Sequence, residues 1–177
     1  MANNSKIQKN TPRASEEPVK EPEQKKSYRV KNLDQNSYVT VKNGFNGTLV
    51  YKSKKTGELF VWDRFGDEQD MELFELKNAK SSGKEFFINN WFLFDDPEIV
   101  EWLGMEQYYK YALNTDDFDE LFKKSPAEVK KTVEKLSKGQ KKSLAFRAKQ
   151  MIREGSIDSI KTINALEEAL SIELIER

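Results

Sequence analysis

Apolar and polar residues alternate along three short runs in the first third of the sequence. The run at 38–42 (YVTVK) is rich in β-branched residues, and the runs at 48–51 and 59–62 flank a polar segment that ends in Gly57. Alternation of this kind is typical of half-buried strands, and glycine supplies the left-handed residue of a type I turn with a bulge. The pattern therefore predicts a hairpin at about 47–63, with 38–42 as a third strand.

The next apolar positions follow a helical period. Gly66 is expected to end the sheet segment, and Asp67 or Asp70 is a suitable N-cap for a helix that runs to about Lys80. The apolar run at 86–94 (FFINNWFLF) fits a short helix followed by a strand, but its periodicity does not decide between this and other arrangements.

Helix-start signals mark the second half of the chain. Asp96, followed by proline, begins one predicted helix, and Ser125 with Glu128 forms a capping box that begins another. Between them, a helix is predicted at about 105–113, and Thr115 is expected to cap an acidic turn.

Three apolar stripes at helical spacing follow the capping box. Their members are Val129, Val133 and Leu136; Leu144, Ala148, Met151 and Ile152; and Ile160, Ile163, Leu166, Ala169 and Leu170. Because only short connections separate the stripes, they predict a small antiparallel bundle of three helices. Gly139 is expected to interrupt the helical pattern between the first stripe and the second.

The densest aromatic segment lies between these two halves, at residues 86–111. It holds nine of the 20 Phe, Trp and Tyr residues, and side chains of this size bury roughly 150–250 Å² each. Such a cluster predicts a core or junction shared by the strands before it and the helices after it. The alternative is an exposed docking surface for a partner protein, for which the candidate residues are Trp91, Phe92, Phe94, Trp102, Tyr108 and Tyr109.

These patterns predict an α+β protein in three segments. Residues 1–27 contain no aromatic residue and are rich in Pro, Glu, Lys, Ser and Asn. They bury too little apolar surface to offset an ordering cost of about 1–2 kcal/mol per residue, so we expect a disordered polar arm. A small antiparallel β-rich module with one helix is expected at 28–94, and a helical domain at 95–177.

The composition excludes the commonest catalytic and metal-binding chemistries. The sequence has no histidine and no cysteine, which removes Ser-His-Asp and Cys-His sites, disulfides, and zinc sites built on thiolate or imidazole. Residues 82–84 (SGK) lack the flanking residues of a phosphate-binding loop. No run of 18 apolar residues and no secretion signal is present. We therefore predict a non-enzymatic protein with no cofactor, no metal and no membrane partner.

Charge is segregated along the chain, although the formal net charge is zero. The balance is +7 over residues 1–56, −12 over 57–120 and +5 over 121–177. Neutralisation within the fold or between copies is one interpretation, and a solvated lysine face is another. A third is a nucleic-acid-associated regulatory protein, whose candidate residues are Lys130, Lys131, Lys135, Lys138, Lys141 and Lys142. No aromatic residue is interleaved among these lysines in the sequence, so the stacking platform of single-strand binders is missing.

The order of the segments resembles a group of phage proteins. The motifs of the resemblance lie at 56–62 (TGELFVW), 65–72 (FGDEQDME) and 90–92 (NWF), and the helical tail follows them. With this pattern, residues 29–177 resemble small, largely uncharacterised proteins of tailed bacteriophages of Gram-positive hosts, often grouped with virion structural genes. The resemblance implies a particle component, made in the host cytoplasm and held in the virion by contacts with other subunits or with its own copies.

Overall fold

The computed structural model describes Met1 and residues 33–175, so the predicted arm lies outside the described residues apart from Met1. Five strands are present in this part: β1 (Tyr38–Asn43), β2 (Leu49–Lys52), β3 (Leu59–Trp62), β4 (Glu68–Glu72) and β5 (Phe92–Leu93). Its helices are α1 (Leu73–Ser82), α2 (Glu85–Ile88), α3 (Pro97–Trp102), α4 (Glu106–Tyr109), α5 (Thr115–Leu121), α6 (Pro126–Lys135), α7 (Lys138–Arg153) and α8 (Ile160–Leu170). The α+β class predicted from the sequence is confirmed.

The predicted hairpin is formed by β2 and β3, which pair antiparallel, and Gly57 in its turn has φ 77°. The expectation that 38–42 adds a third strand to this hairpin is wrong. Instead, β1 is the central strand of a separate sheet with the order β4-β1-β5. Both edges of β1 are therefore occupied, and the hairpin covers this sheet through Trp62, whose indole N–H donates to the carbonyl oxygen of Val41 at 2.9 Å.

Residues 68–72 form a strand and not the first turns of a helix, which corrects the prediction for Gly66, Asp67 and Asp70. The physical reason is a set of cross-strand pairs that the acidic side chains make with β1. The Thr40 hydroxyl donates to Asp70 at 2.7 Å, and the Tyr38 hydroxyl donates to Glu72 at 3.1 Å. Helix α1 begins only after them, and no side chain caps it.

The first hydrophobic core contains nearly all of the aromatic segment. The Phe92 ring lies 4.9 Å to 5.8 Å from the rings of Tyr51, Trp62, Phe86 and Phe87. The run at 86–94 is thus a short helix followed by a strand. Helices α3 and α4, which belong to the aromatic segment itself, close the same core through residues such as Ile99 and Met105. The expectation that the helices after the segment share this core is wrong, because the apolar residues of α5 to α8 form a separate one. The helix expected at 105–113 is much shorter, because only α4 forms there.

Helices α5 to α8 enclose a second core, with Phe118, Val133, Leu144 and Leu166 fully buried. The predicted caps at Asp96 and Ser125 are confirmed.

Two other predictions about the helix starts are wrong. Asn114 is the N-cap of α5 in place of Thr115, because its backbone N–H donates to Asp117 at 3.2 Å. Gly139 does not interrupt a helix, since it is the second residue of α7 and the break between α6 and α7 lies at Leu136, where the backbone is extended.

A polar contact joins the two cores at the first turns of α7. The Ser137 hydroxyl donates to the carbonyl oxygen of Asn89 at 3.1 Å, and the Ser143 hydroxyl donates to that of Gly44 at 2.9 Å. Gln140 is bound to both backbone groups of Leu113, at 2.6 Å and 3.0 Å, but this contact lies on the side of the second core, against which Leu113 packs. Apart from Phe65, which packs against the second core, the hydrophobic cores divide after Tyr109, whereas the sequence places the domain boundary at 94/95.

An ion pair between α5 and α7 gives a pH-dependent contribution to stability. Both oxygens of Asp119 accept hydrogen bonds from Arg147, at 2.8 Å and 2.6 Å. The hydrogen bond from this guanidinium lowers the pKa of Asp119. The pair therefore stabilises the folded state fully above the unfolded-state pKa of about 3.9, and this stabilisation is lost as the pH falls through the lower folded-state value.

We expect Asp119→Asn to lower the free energy of unfolding at neutral pH by less than about 1 kcal/mol, since the carboxylate is partly exposed. The difference from wild type should shrink as the pH falls below about 4. Urea unfolding at a series of pH values measures this, with the exposed Asp63→Asn as the matched control. A difference that persists unchanged into acid would contradict the assignment.

Candidate protein-docking site

The aromatic residues proposed as a docking surface contribute mainly to the first core. Phe92 is 0% exposed and Phe94 is 6% exposed, so neither side chain can meet a partner. The remaining candidates, Trp91, Trp102, Tyr108 and Tyr109, are partly buried against the same core. The Tyr109 hydroxyl donates to the carbonyl oxygen of Phe92 at 2.8 Å, and burial raises its pKa.

The lysines proposed for nucleic-acid binding are divided between α6 and α7. Lys130 forms an ion pair with Glu168 of α8, and the Lys135 ammonium lies 5.1 Å from the centre of the Tyr111 ring. Lys131 is exposed on α6. Lys138, Lys141 and Lys142 lie on α7 beyond the break, so they share a surface with residues that the sequence did not group with them.

That surface is an open groove of about 470 Å³ between α7 and the end of α8. We call it the basic groove. Its basic residues are Lys138, Lys141, Lys142 and Lys149, and its apolar residues are Ala145, Phe146, Leu170 and Ile172. The six residues of α7 follow the spacing i, i+3, i+4, i+7, i+8 and i+11, which places them on one face of the helix.

The fold fixes both walls of the basic groove. Ser137 caps α7 by accepting a hydrogen bond from the Gln140 backbone at 3.1 Å. The opposite side of α7 anchors the helix, because Leu144 and Ala148 are fully buried in the second core. At the end of α8, Ser171 adopts a left-handed conformation with φ 55°, and this turn directs the following residue, Ile172, to the groove.

Within the described structure, the lysines of the basic groove have no counter-charge in the groove itself. Lys42, Lys123 and Lys130 each pair with a carboxylate. Among the residues that the structure describes, Lys138, Lys141, Lys142 and Lys149 have no such partner, and no acidic side chain lines the groove. Lys141 and Lys149 are half-buried, so their aliphatic stems extend the apolar surface while the ammonium groups face water.

Phe146 is the most exposed aromatic side chain of the helical half, at 57%. It lies outside the apolar stripe of α7 that packs into the second core. The sequence does contain a signal for this site. Phe146 follows the helical spacing of the lysines of α7 and not the spacing of its buried residues. The sequence prediction missed Phe146 and Lys149 because the lysine-rich run ends at Lys142. It missed Leu170 and Ile172 because they come from the end of α8 and the turn after it.

The other concave surfaces are less suited to binding a charged partner. A cleft of about 610 Å³ lies between the two halves, where Asp119 and Arg147 neutralise each other. A smaller cavity of about 330 Å³ lies beside Tyr111 on α6 and contains the capping Glu128.

The buried ionisable groups lie in the core and not in a cavity. Glu75 is 3% exposed and accepts a hydrogen bond from the Tyr51 hydroxyl at 2.6 Å. Burial, together with this hydrogen bond, raises the pKa of Tyr51.

Within residues 33–175 no group of three or more acidic side chains is placed to hold a metal ion. In the same part of the chain, no helix has the length and apolar character needed to cross a membrane. The basic groove therefore offers cationic and apolar contacts but no nucleophile, acid or base beyond its lysines. Comparison of the chain with protein-family models, curated proteins and solved structures found no match.

Proposed function

We propose that this chain is a non-enzymatic structural or adaptor protein of a bacteriophage particle, acting through contacts with other particle proteins. The basic groove is the observation on which this proposal depends. It combines an exposed ring, aliphatic side chains and unpaired lysines on a helix that is fixed from behind. Rigid presentation of a large apolar anchor surrounded by polar groups is typical of protein-binding surfaces.

The resemblance to phage proteins at 56–62, 65–72 and 90–92 supports a particle as the setting. The shape of the groove agrees with a binding role, since it is open along its length and would leave a small substrate exposed to water. Enzyme sites instead enclose their ligands and place perturbed titratable groups against them.

A second candidate function is nucleic-acid binding, and one observation favours it. Tyr111 lies under Lys135, and Phe146 lies between Lys142 and Lys149, so the fold supplies two exposed rings beside the lysines. The protein would then be a nucleic-acid-associated regulatory protein. Its binding would weaken steeply with salt, because released counterions supply most of the affinity.

Quantitative mass spectrometry of purified phage particles tests the main proposal. We expect the chain to co-purify with particles through a density gradient, in a fixed ratio to the capsid protein. Particles grown without the gene should lack it and should assemble or infect less efficiently. If the chain is abundant in infected cells but absent from the particles, a structural role in the virion is excluded.

A further inference from the structure

We propose that the basic groove binds an acidic amphipathic segment of a partner protein, with large apolar side chains on one side and carboxylates around them. This inference rests on the proposed function, because it names the chemistry of the partner that the docking site accepts. The apolar side chains of the segment contact Phe146, Leu170 and Ile172. Its carboxylates pair with the lysines at the groove.

Charge complementarity determines the sign of the partner's charge. Four lysines line the groove, and no carboxylate does. By contrast, Asp119 supplies a counter-charge to Arg147, and Glu168 supplies one to Lys130. Four cations around one apolar surface repel each other, and an anionic partner relieves this repulsion.

The apolar residues indicate a polypeptide and not a nucleic acid. Single-stranded nucleic acids are bound by successive rings on which bases stack. The groove has one ring, Phe146, and its other apolar residues are aliphatic. Aliphatic side chains pack against Leu, Ile or Met of a partner, as in the recognition of an amphipathic helix by a groove.

The geometry also argues against a flat lipid surface as the occupant. Residues that insert into a membrane interface project outward along one helix. Here Leu170 and Ile172 come from a second element and form a concave surface with α7. A concave apolar surface matches a protruding ridge of side chains, which one turn of a partner helix provides.

The test uses a fluorescent synthetic peptide of about 14 residues, long enough for roughly four helical turns. Leucines follow the i, i+3, i+4, i+7 pattern, and the other positions are glutamate. The peptide is titrated with the full chain by fluorescence anisotropy at about 50 and 200 mM salt. We expect saturable binding at both salt concentrations. Peptides in which the leucines are replaced by serine, or the glutamates by lysine, should not bind.

Variants of the chain locate the binding. Lys142→Glu should weaken the affinity about tenfold, and Phe146→Ser about thirtyfold. Lys131→Glu is the matched control, because it reverses the charge of an exposed lysine on α6 outside the groove, and it should change the affinity little. Equal weakening by Lys131→Glu and Lys142→Glu would overturn the assignment of the groove.

The alternative occupants are measured with the same variants. Oligothymidylate that binds more tightly than the acidic peptide, with a steep loss at higher salt, overturns the proposal in favour of nucleic acid. Tighter binding to vesicles of anionic phospholipid overturns it in favour of a membrane. Concentration-dependent dimers in sedimentation, abolished by Phe146→Ser, overturn it in favour of a second copy.

Particle incorporation separates this inference from the proposed function. If wild-type chain is found in particles and the Lys142→Glu and Phe146→Ser chains are found there equally, the groove is not the docking site, but the structural role stands. If the wild-type chain is absent from particles, the structural role is excluded, whether or not the chain binds the acidic peptide.

Discussion

Replacing Gly139 with alanine is expected to lower the free energy of unfolding by about 3 kcal/mol, although the same change in a free helix would stabilise it by about 1 kcal/mol. The cause is the close approach of α7 to the end of α2. A Cβ atom at Gly139 would lie 2.3 Å from the carbonyl oxygen of Asn89 and 2.5 Å from its Cβ. Helix α7 must therefore move away, which lengthens the hydrogen bonds from Ser137 and Ser143.

Urea unfolding, followed by tryptophan fluorescence and by circular dichroism, measures the effect. All three tryptophans, Trp62, Trp91 and Trp102, lie in or against the first core, whereas circular dichroism reports on the helices around both cores. If this contact couples the two cores, the two signals should show the same unfolding transition for wild type. For Gly139→Ala, the transitions followed by fluorescence and by circular dichroism should separate.

Gly57→Ala is the matched control for Gly139→Ala. Gly57 has φ 77°, and an added Cβ would meet nothing within 4 Å. Only backbone strain of about 1 kcal/mol is expected there. An unfolding free energy for Gly139→Ala equal to or above that of wild type would show that the contact between the halves is not tight.

Local signals in the sequence were sufficient where a structure is formed by neighbouring residues. The β2–β3 hairpin depends on Gly57, and the starts of α3 and α6 depend on caps within three residues of Asp96 and Ser125. Strand β4 was missed for the opposite reason. Its acidic residues suit a helix start equally well, and what makes them a strand is β1, whose Thr40 is 30 residues from Asp70.

The aromatic segment shows a second limit of the sequence. Nine rings in 26 positions predict burial, but they do not say which part of the chain will be buried with them. The rings up to Tyr109 enter the first core with the strands, whereas α5 to α8 build a core of their own. The two cores are joined instead by the hydrogen bonds of Ser137 and Ser143, which carry no hydrophobic signal, and by the contact of the Phe65 ring with Phe118 at 4.9 Å.

The segregated charge is partly neutralised within the fold. Lys42 pairs with Glu68 and Asp95, Arg147 with Asp119 and Lys130 with Glu168. The pairs of Lys42 and Arg147 join a basic flank to the acidic middle segment, as self-neutralisation requires, whereas Lys130 and Glu168 both belong to the C-terminal flank. The lysines of α7 have no such carboxylate partner in the described structure, and neither has Lys131 on α6, so the balance of +5 over 121–177 is shared between these two helices.

Truncating two phenylalanines to alanine should have opposite consequences for stability and for binding. Phe92→Ala removes a ring that contacts four other rings in the first core, and we expect a loss of about 4 kcal/mol in unfolding free energy. Phe146→Ala removes an exposed ring, and we expect a change below about 0.5 kcal/mol. Urea unfolding of both variants provides the comparison.

The binding measurement completes this comparison. Under conditions where both chains are folded, Phe92→Ala should bind the acidic peptide like wild type, because the ring is buried in the first core and takes no part in the groove. Phe146→Ala should bind it at least about tenfold more weakly. If Phe92→Ala loses binding and Phe146→Ala retains it, the docking surface is the aromatic segment and not the basic groove.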